Sequence, residues 1–127
     1  MNSVSMNVAE IELEFEVDDA GNPKFITHGT KQHYLIRAHI EDVPEDAYAV
    51  TYVLDPSYPS QFVESRDRSA GFPVSITTYG NYVLKAQIRG TSGTQTTGRS
   101  IEKALKSKYY DTHNNAIRDA ISYISNN

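Results

Sequence analysis

Two short stretches carry the groups best suited to chemistry. Ser57 and Tyr58 close the run that begins at Val50, and Thr78, Tyr79 and Gly80 close the run that begins at Phe72. Each places a hydroxyl beside an aromatic ring at the end of a β-type segment. Opening at the same end of a sandwich, the two loops would form an aromatic slot. Most of what the sequence says about function sits in that slot. The competing reading makes both tyrosines plugs of the sandwich end and Ser57 a turn residue bonded to local backbone.

Other chemistry finds little support. Asp55 stands near Ser57 without a matching histidine, so nucleophilic attack has no base to name. The histidines His28, His33, His39 and His113 lack metal-ligand spacing. Asp67 between Arg66 and Arg68 reads as a solvated loop. No glycine-rich phosphate loop precedes a helix. These readings point to a non-enzymatic protein that needs neither cofactor nor metal.

Composition narrows the partners. A chain of 127 residues is one domain's length. The net charge of -4 supplies no general field for nucleic acid. Cysteine is absent, no apolar run reaches membrane-span length, and the first residues lack signal-peptide features. A cytoplasmic protein off the membrane is the expectation. Nine tyrosines against four phenylalanines and no tryptophan suit a wet binding surface as well as a core.

The elements that must position the two loops follow from periodicity. Ile11, Leu13, Phe15 and Val17 alternate with acidic residues, which predicts a half-buried strand. Further strands are expected over 32–41, with Tyr34, Ile36, Ala38 and Ile40 on one face, and over 47–54, with Val50, Tyr52 and Leu54 inward. A short strand is expected over 61–64. Phe72, Val74, Ile76 and Thr78 form the face of the next strand, and Tyr82, Leu84, Ala86 and Ile88 that of its return. Gly80 beside Asn81 predicts a tight hairpin with positive φ between them. A second hairpin loop follows over 90–94, then a polar last strand over 95–100. From Ser100 the period becomes helical, first over Ile101, Ala104 and Leu105, then over Ala116, Ile117, Ala120, Ile121 and Ile124. The expected architecture is all-β, an immunoglobulin-like antiparallel β-sandwich with one or two short C-terminal α-helices. Residues 1–8 read as a flexible tail, 9–100 as the sandwich and 101–127 as a helical extension. The apolar face of the last helix either packs on the sheet or offers a seam for a homo-oligomer or a partner protein.

The central third resembles the YEATS domain, especially its prokaryotic branch. The signature residues are Leu54, Asp55, Pro56, Ser57, Tyr58 and Pro59, then Gly71 and Phe72, then Thr78, Tyr79, Gly80, Asn81 and Tyr82. The resemblance implies an immunoglobulin-like fold and a module that recognises acylated lysine. Carried over by position, Ser57 would be the amide-binding hydroxyl, Tyr58 and Tyr79 the flanking rings, and Gly80 the point of close backbone approach. Two positions depart from the pattern. Asp55 replaces a pocket histidine, which suits a cationic or hydroxyl-bearing ligand, and Thr78 replaces a glycine, which would narrow the slot. The expected ligand is therefore a modified peptide or similar small molecule. The alternative is an interaction or assembly domain of a bacterial signalling or defence system with no open pocket.

Overall fold

A computed structural model describes residues 8–127. The tail expected over residues 1–8 lies almost wholly outside the described part. The elements in chain order are β1 (Glu10–Phe15), β2 (Phe25–His28), β3 (Lys31–Glu41), β4 (Ala47–Val53), β5 (Phe62–Ser65), β6 (Val74–Thr78), β7 (Val83–Gly90), β8 (Gly93–Ser100), α1 (Ile101–Lys108) and α2 (Asn115–Ser125).

The strands make two antiparallel sheets. In the first, β3 is central. Along one side it pairs with β1, from Glu10↔Glu41 to Phe15↔Ile36, and then with β2, from Phe25↔Tyr34 to His28↔Lys31. Along its other side it pairs with β6. The second sheet runs β5-β4-β7-β8. Alternation does its expected work: Ile11, Leu13 and Phe15 meet Ile36, Ala38, Ile40, Val74 and Ile76 across a core shared with Val50, Tyr52, Leu84, Ala86 and Ile88. Tyr52 is fully buried, and its hydroxyl donates to the Phe72 carbonyl at 2.6 Å, so the ring crosses the core without an orphaned polar tip.

One connection differs from the expectation. Tyr79, Gly80 and Asn81 are not a hairpin, because β6 pairs with β3 while β7 pairs with β4 and β8. The segment instead crosses from one sheet to the other, and Gly80 has no left-handed φ. The local signal was misleading because two alternating runs either side of a Gly-Asn pair look alike whether they join one sheet or two. The hairpin between β7 and β8 is real, with Gly90 opposite Gly93. The short strand β2 was not foreseen.

The helices close the side of the sandwich between β1 and β8. Ser100 caps α1 by accepting from the Lys103 N–H, and Asn114 caps α2 by accepting from the Ile117 N–H. Ile101, Ala104, Leu105, Ile117, Ala120, Ile121 and Ile124 all enter the common core. The apolar face of α2 therefore packs on the chain's own sandwich. Tyrosine hydroxyls tie the helical layer to the first sheet: Phe15 N–H donates to Tyr109 Oη at 3.0 Å, and Gln32 N–H to Tyr123 Oη at 2.9 Å. No described helix is long and apolar enough to cross a membrane.

Candidate ligand-binding site

Asp55, Ser57, Tyr58, Thr78, Tyr79 and Gly80 come together at one end of the sandwich, where the β4–β5 loop meets the β6–β7 crossing. All of them line a small cleft of about 150 Å³ that also includes Tyr82 and Asn127. A larger cleft of about 330 Å³ lies on the other side of the two rings. Ser57, Tyr58 and Tyr79 face it, joined by Ile26, His28, His33, Pro59 and Thr77. Its far wall is the β2–β3 hairpin.

The β4–β5 loop is a turn built on one carboxylate. Asp55 Oδ2 accepts from the Ser57 N–H at 3.0 Å and from Ser57 Oγ at 2.6 Å. Chiefly through the Ser57 hydroxyl, and then its N–H, the Asp55 carboxyl is held below the usual carboxylate range. The Ser57 proton is thus directed at Asp55, and the hydroxyl presents lone pairs to anything else. The next residue, Tyr58, reaches across to the first sheet: its hydroxyl donates to the Thr77 carbonyl at 2.6 Å. Its ring meets Tyr82 edge to face, with centroids 5.6 Å apart. Burial, foremost, pushes the Tyr82 hydroxyl far above its ordinary pKa.

The opposite wall is built differently. Thr78 is buried, and its hydroxyl donates to the Gly80 carbonyl at 2.6 Å, which folds the start of the crossing onto itself. Thr78 therefore shapes the loop and does not narrow the larger cleft. Tyr79 is 41% exposed. Its ring tilts against His33 with centroids 5.1 Å apart, and Lys31 Nζ lies 5.5 Å from the ring centre. His28 in turn meets His33 edge to face at 5.9 Å. At Gly80, an added Cβ would lie 2.8 Å from the Asn127 carbonyl oxygen. The space that glycine leaves at position 80 is taken by Asn127 of the same chain.

The two loops singled out in the sequence thus lie side by side, and the hairpin that completes the larger cleft is a further element that the sequence reading lacks. His28 and His33 drew attention only as metal ligands. The available signal was the β-type segment Phe25 to His28, followed by Gly29 and a second alternating run, which together mark a hairpin.

Comparison with known proteins fits this geometry. The model of the prokaryotic YEATS domain matches residues 33–98, just over half of the chain. The chain belongs to the prokaryotic YEATS family. Among solved structures it is similar to one described as the Yaf9 YEATS domain recognizing H3K122suc peptide. That likeness has a TM-score of 0.51 and 10% identity, covers 73% of this chain and 72% of the other, and shows the shared fold. No curated protein sequence matches. Within this YEATS domain the family match contains both tyrosine loops and begins at His33. Ile26 and His28 of the cleft's far wall lie before it.

Proposed function

We propose that this YEATS domain is a non-catalytic recognition module, and that the larger cleft takes the acylated end of a lysine side chain or a close chemical relative. The reading is carried by the cleft between Tyr58 and Tyr79, whose volume of about 330 Å³ suits one side-chain end. It lies at the small end of the range for ligand sites, roughly 300–1,000 Å³. The cleft offers ring faces, Ile26 and Pro59 to an apolar chain.

The polar groups suit an amide. Ser57, whose O–H donates to Asp55, would accept from the ligand's amide N–H. The ligand's carbonyl would then need a donor, and His28 and His33 bring imidazole N–H groups to the same space. Asp55 accordingly works on Ser57 and not on the ligand. A direct carboxylate–hydroxyl contact with a depressed carboxyl pKa is a poor arrangement for general-base catalysis, which supports recognition over hydrolysis. The described relative's succinylated peptide adds a second probe, because a carboxylate-tipped acyl group would meet the imidazoles and Lys31.

The test is an NMR titration of labelled protein with acetyl-, crotonyl-, succinyl- and unmodified-lysine peptides. Saturable shifts at residues 55–59, 77–80 and His33, absent for unmodified lysine, are expected. Silence to all acylated peptides at millimolar concentration overturns the reading.

A further inference from the structure

We propose that the free edge of β6 binds extended polypeptide backbone, so that the side chain taken by the cleft is presented by a strand added alongside Ser75 and Thr77. This rests on the cleft reading above and specifies what carries the recognised group.

The direction of the β6 backbone can be worked out from its neighbours. In the β3–β6 pair, Leu35 stands opposite Thr77 and Arg37 opposite Ser75. Leu35 N–H donates to the Lys24 carbonyl at 3.0 Å, and the Leu35 carbonyl accepts from Glu16 N–H at 3.0 Å. Both backbone groups of Leu35 therefore point away from β6. In an antiparallel ladder its partner Thr77 must then point away from β3. The Tyr58 hydroxyl on the Thr77 carbonyl agrees with this. Ser75, two residues earlier, repeats the orientation. The Thr77 N–H and both backbone groups of Ser75 face out of the sheet edge, and among the described residues β5, which comes close to β6, is laddered only to β4.

Space is available at that edge. A cavity of about 390 Å³ is lined both by Ser75 and Leu35, which face out of the first sheet, and by Ile76 and Leu54, which face into the core. Residues from both faces of one sheet can line a single cavity only where it wraps the edge. Tyr58, Pro59 and Thr77 are common to this cavity and the aromatic cleft, so a strand lying in the first reaches the second. Protein edges are commonly guarded by inward charges or proline, and β6 from Val74 to Thr78 has neither. Glu16 lines the same groove, and among the described residues its Oε2 is buried without a hydrogen-bond partner. That favours a strand carrying a lysine or arginine near the recognised residue. The mode is strand addition: main-chain bonds provide affinity and an adjoining pocket provides selectivity.

The test compares a capped acyl-lysine with a peptide long enough to span Val74–Thr78 that bears the same acyl-lysine, by calorimetry and amide exchange. Two or three added backbone hydrogen bonds predict roughly tenfold or greater tightening in the peptide. Backbone N-methylation along the peptide should cost affinity at alternate positions only. The Ser75 and Thr77 amides should gain exchange protection on binding. Ser75→Pro removes an outward N–H without touching the β3 ladder, so it should abolish the peptide's advantage and leave the capped residue's affinity unchanged. Equal affinities for peptide and capped residue, or N-methyl losses without alternation, overturn the edge proposal and leave the cleft reading standing. Peptide binding indifferent to acylation does the reverse. Absence of all binding overturns both.

Discussion

The two tyrosines that flank the cleft are alike in sequence setting and unlike in structure. Tyr58 is half-buried, packed on the core beside Tyr82 and bonded through its hydroxyl to Thr77. Tyr79 lies largely in the open, touching His33 and Lys31. The first ring braces two sheets, and the second is an exposed wall that leans on His33 and Lys31 of the hairpin. A slot and a plug were alternatives in the sequence. In the structure Tyr58 has much of the plug's character, and Tyr79 has the wall's.

Removing each ring separates the two roles most sharply. Tyr58→Ala should lower stability by about 2–3 kcal/mol, since it deletes a partly buried ring and its cross-sheet bond. Tyr79→Ala should change stability by no more than about 0.5 kcal/mol, as exposed substitutions do. Both should abolish binding of acylated peptide. Denaturant melts beside calorimetric titrations check this, and equal stability losses in the two variants would dissolve the contrast.

Gly80→Ala acts on the Tyr79 side alone. Its Cβ would collide with the Asn127 carbonyl, so the crossing or the end of the chain must shift. A cost of about 1 kcal/mol is expected, near the low end for overpacking. Amide shifts at Tyr79 and Asn127 would show the displacement, and a variant whose shifts stay at wild-type values would contradict the packing.

Tyr58→Phe isolates the brace. Losing the bond to Thr77 should cost about 1 kcal/mol, while the ring face, and hence binding, is kept within a few-fold. A binding loss as large as that of Tyr58→Ala would mean that the hydroxyl, not the ring, is what the ligand needs.

The smallest effect concerns Asp55. Its folded pKa lies below the model-peptide value of about 3.9. The turn it holds is therefore complete above that value and is lost as the pH falls through the lowered folded pKa. The Ser57 amide shift should titrate with a midpoint under about 3.9, and Asp55→Asn should flatten it. A midpoint at or above that value would remove Asp55 from the role of orienting Ser57.

Local pattern made much of the fold legible. Period-two runs such as Tyr34 to Ile40 and Leu84 to Ile88 identified both strands and their inward faces, and Ser100 marked the change to helix. What pattern could not reveal is which sheet a strand joins. The segment around Gly80 reads the same as a hairpin or as a crossing, because partner choice is decided by contacts remote in sequence. The same limit applied to the site. Motif alone makes Ser57 and Tyr79 candidates. The pairing of β2 with β3 brings His28 and His33 to Tyr79 across a long stretch of chain, and no spacing rule encodes that. Asp55 was read as a ligand-facing charge, although its nearest donor proved to be Ser57 two residues on.

The seating of Asn127 against Gly80 has a practical side. A bulky group joined at Asn127, such as a fused partner, leaves from the wall of the smaller cleft. It would crowd the tyrosine loops and distort any binding assay made with it. The start of β1 is a better place for such attachments, since Glu10 pairs with Glu41 at the opposite end of the sheet from Tyr34 and Thr78. Conversely, a small environment-sensitive dye on the Asn127 side chain would report movement of the Tyr79 crossing from outside the larger cleft.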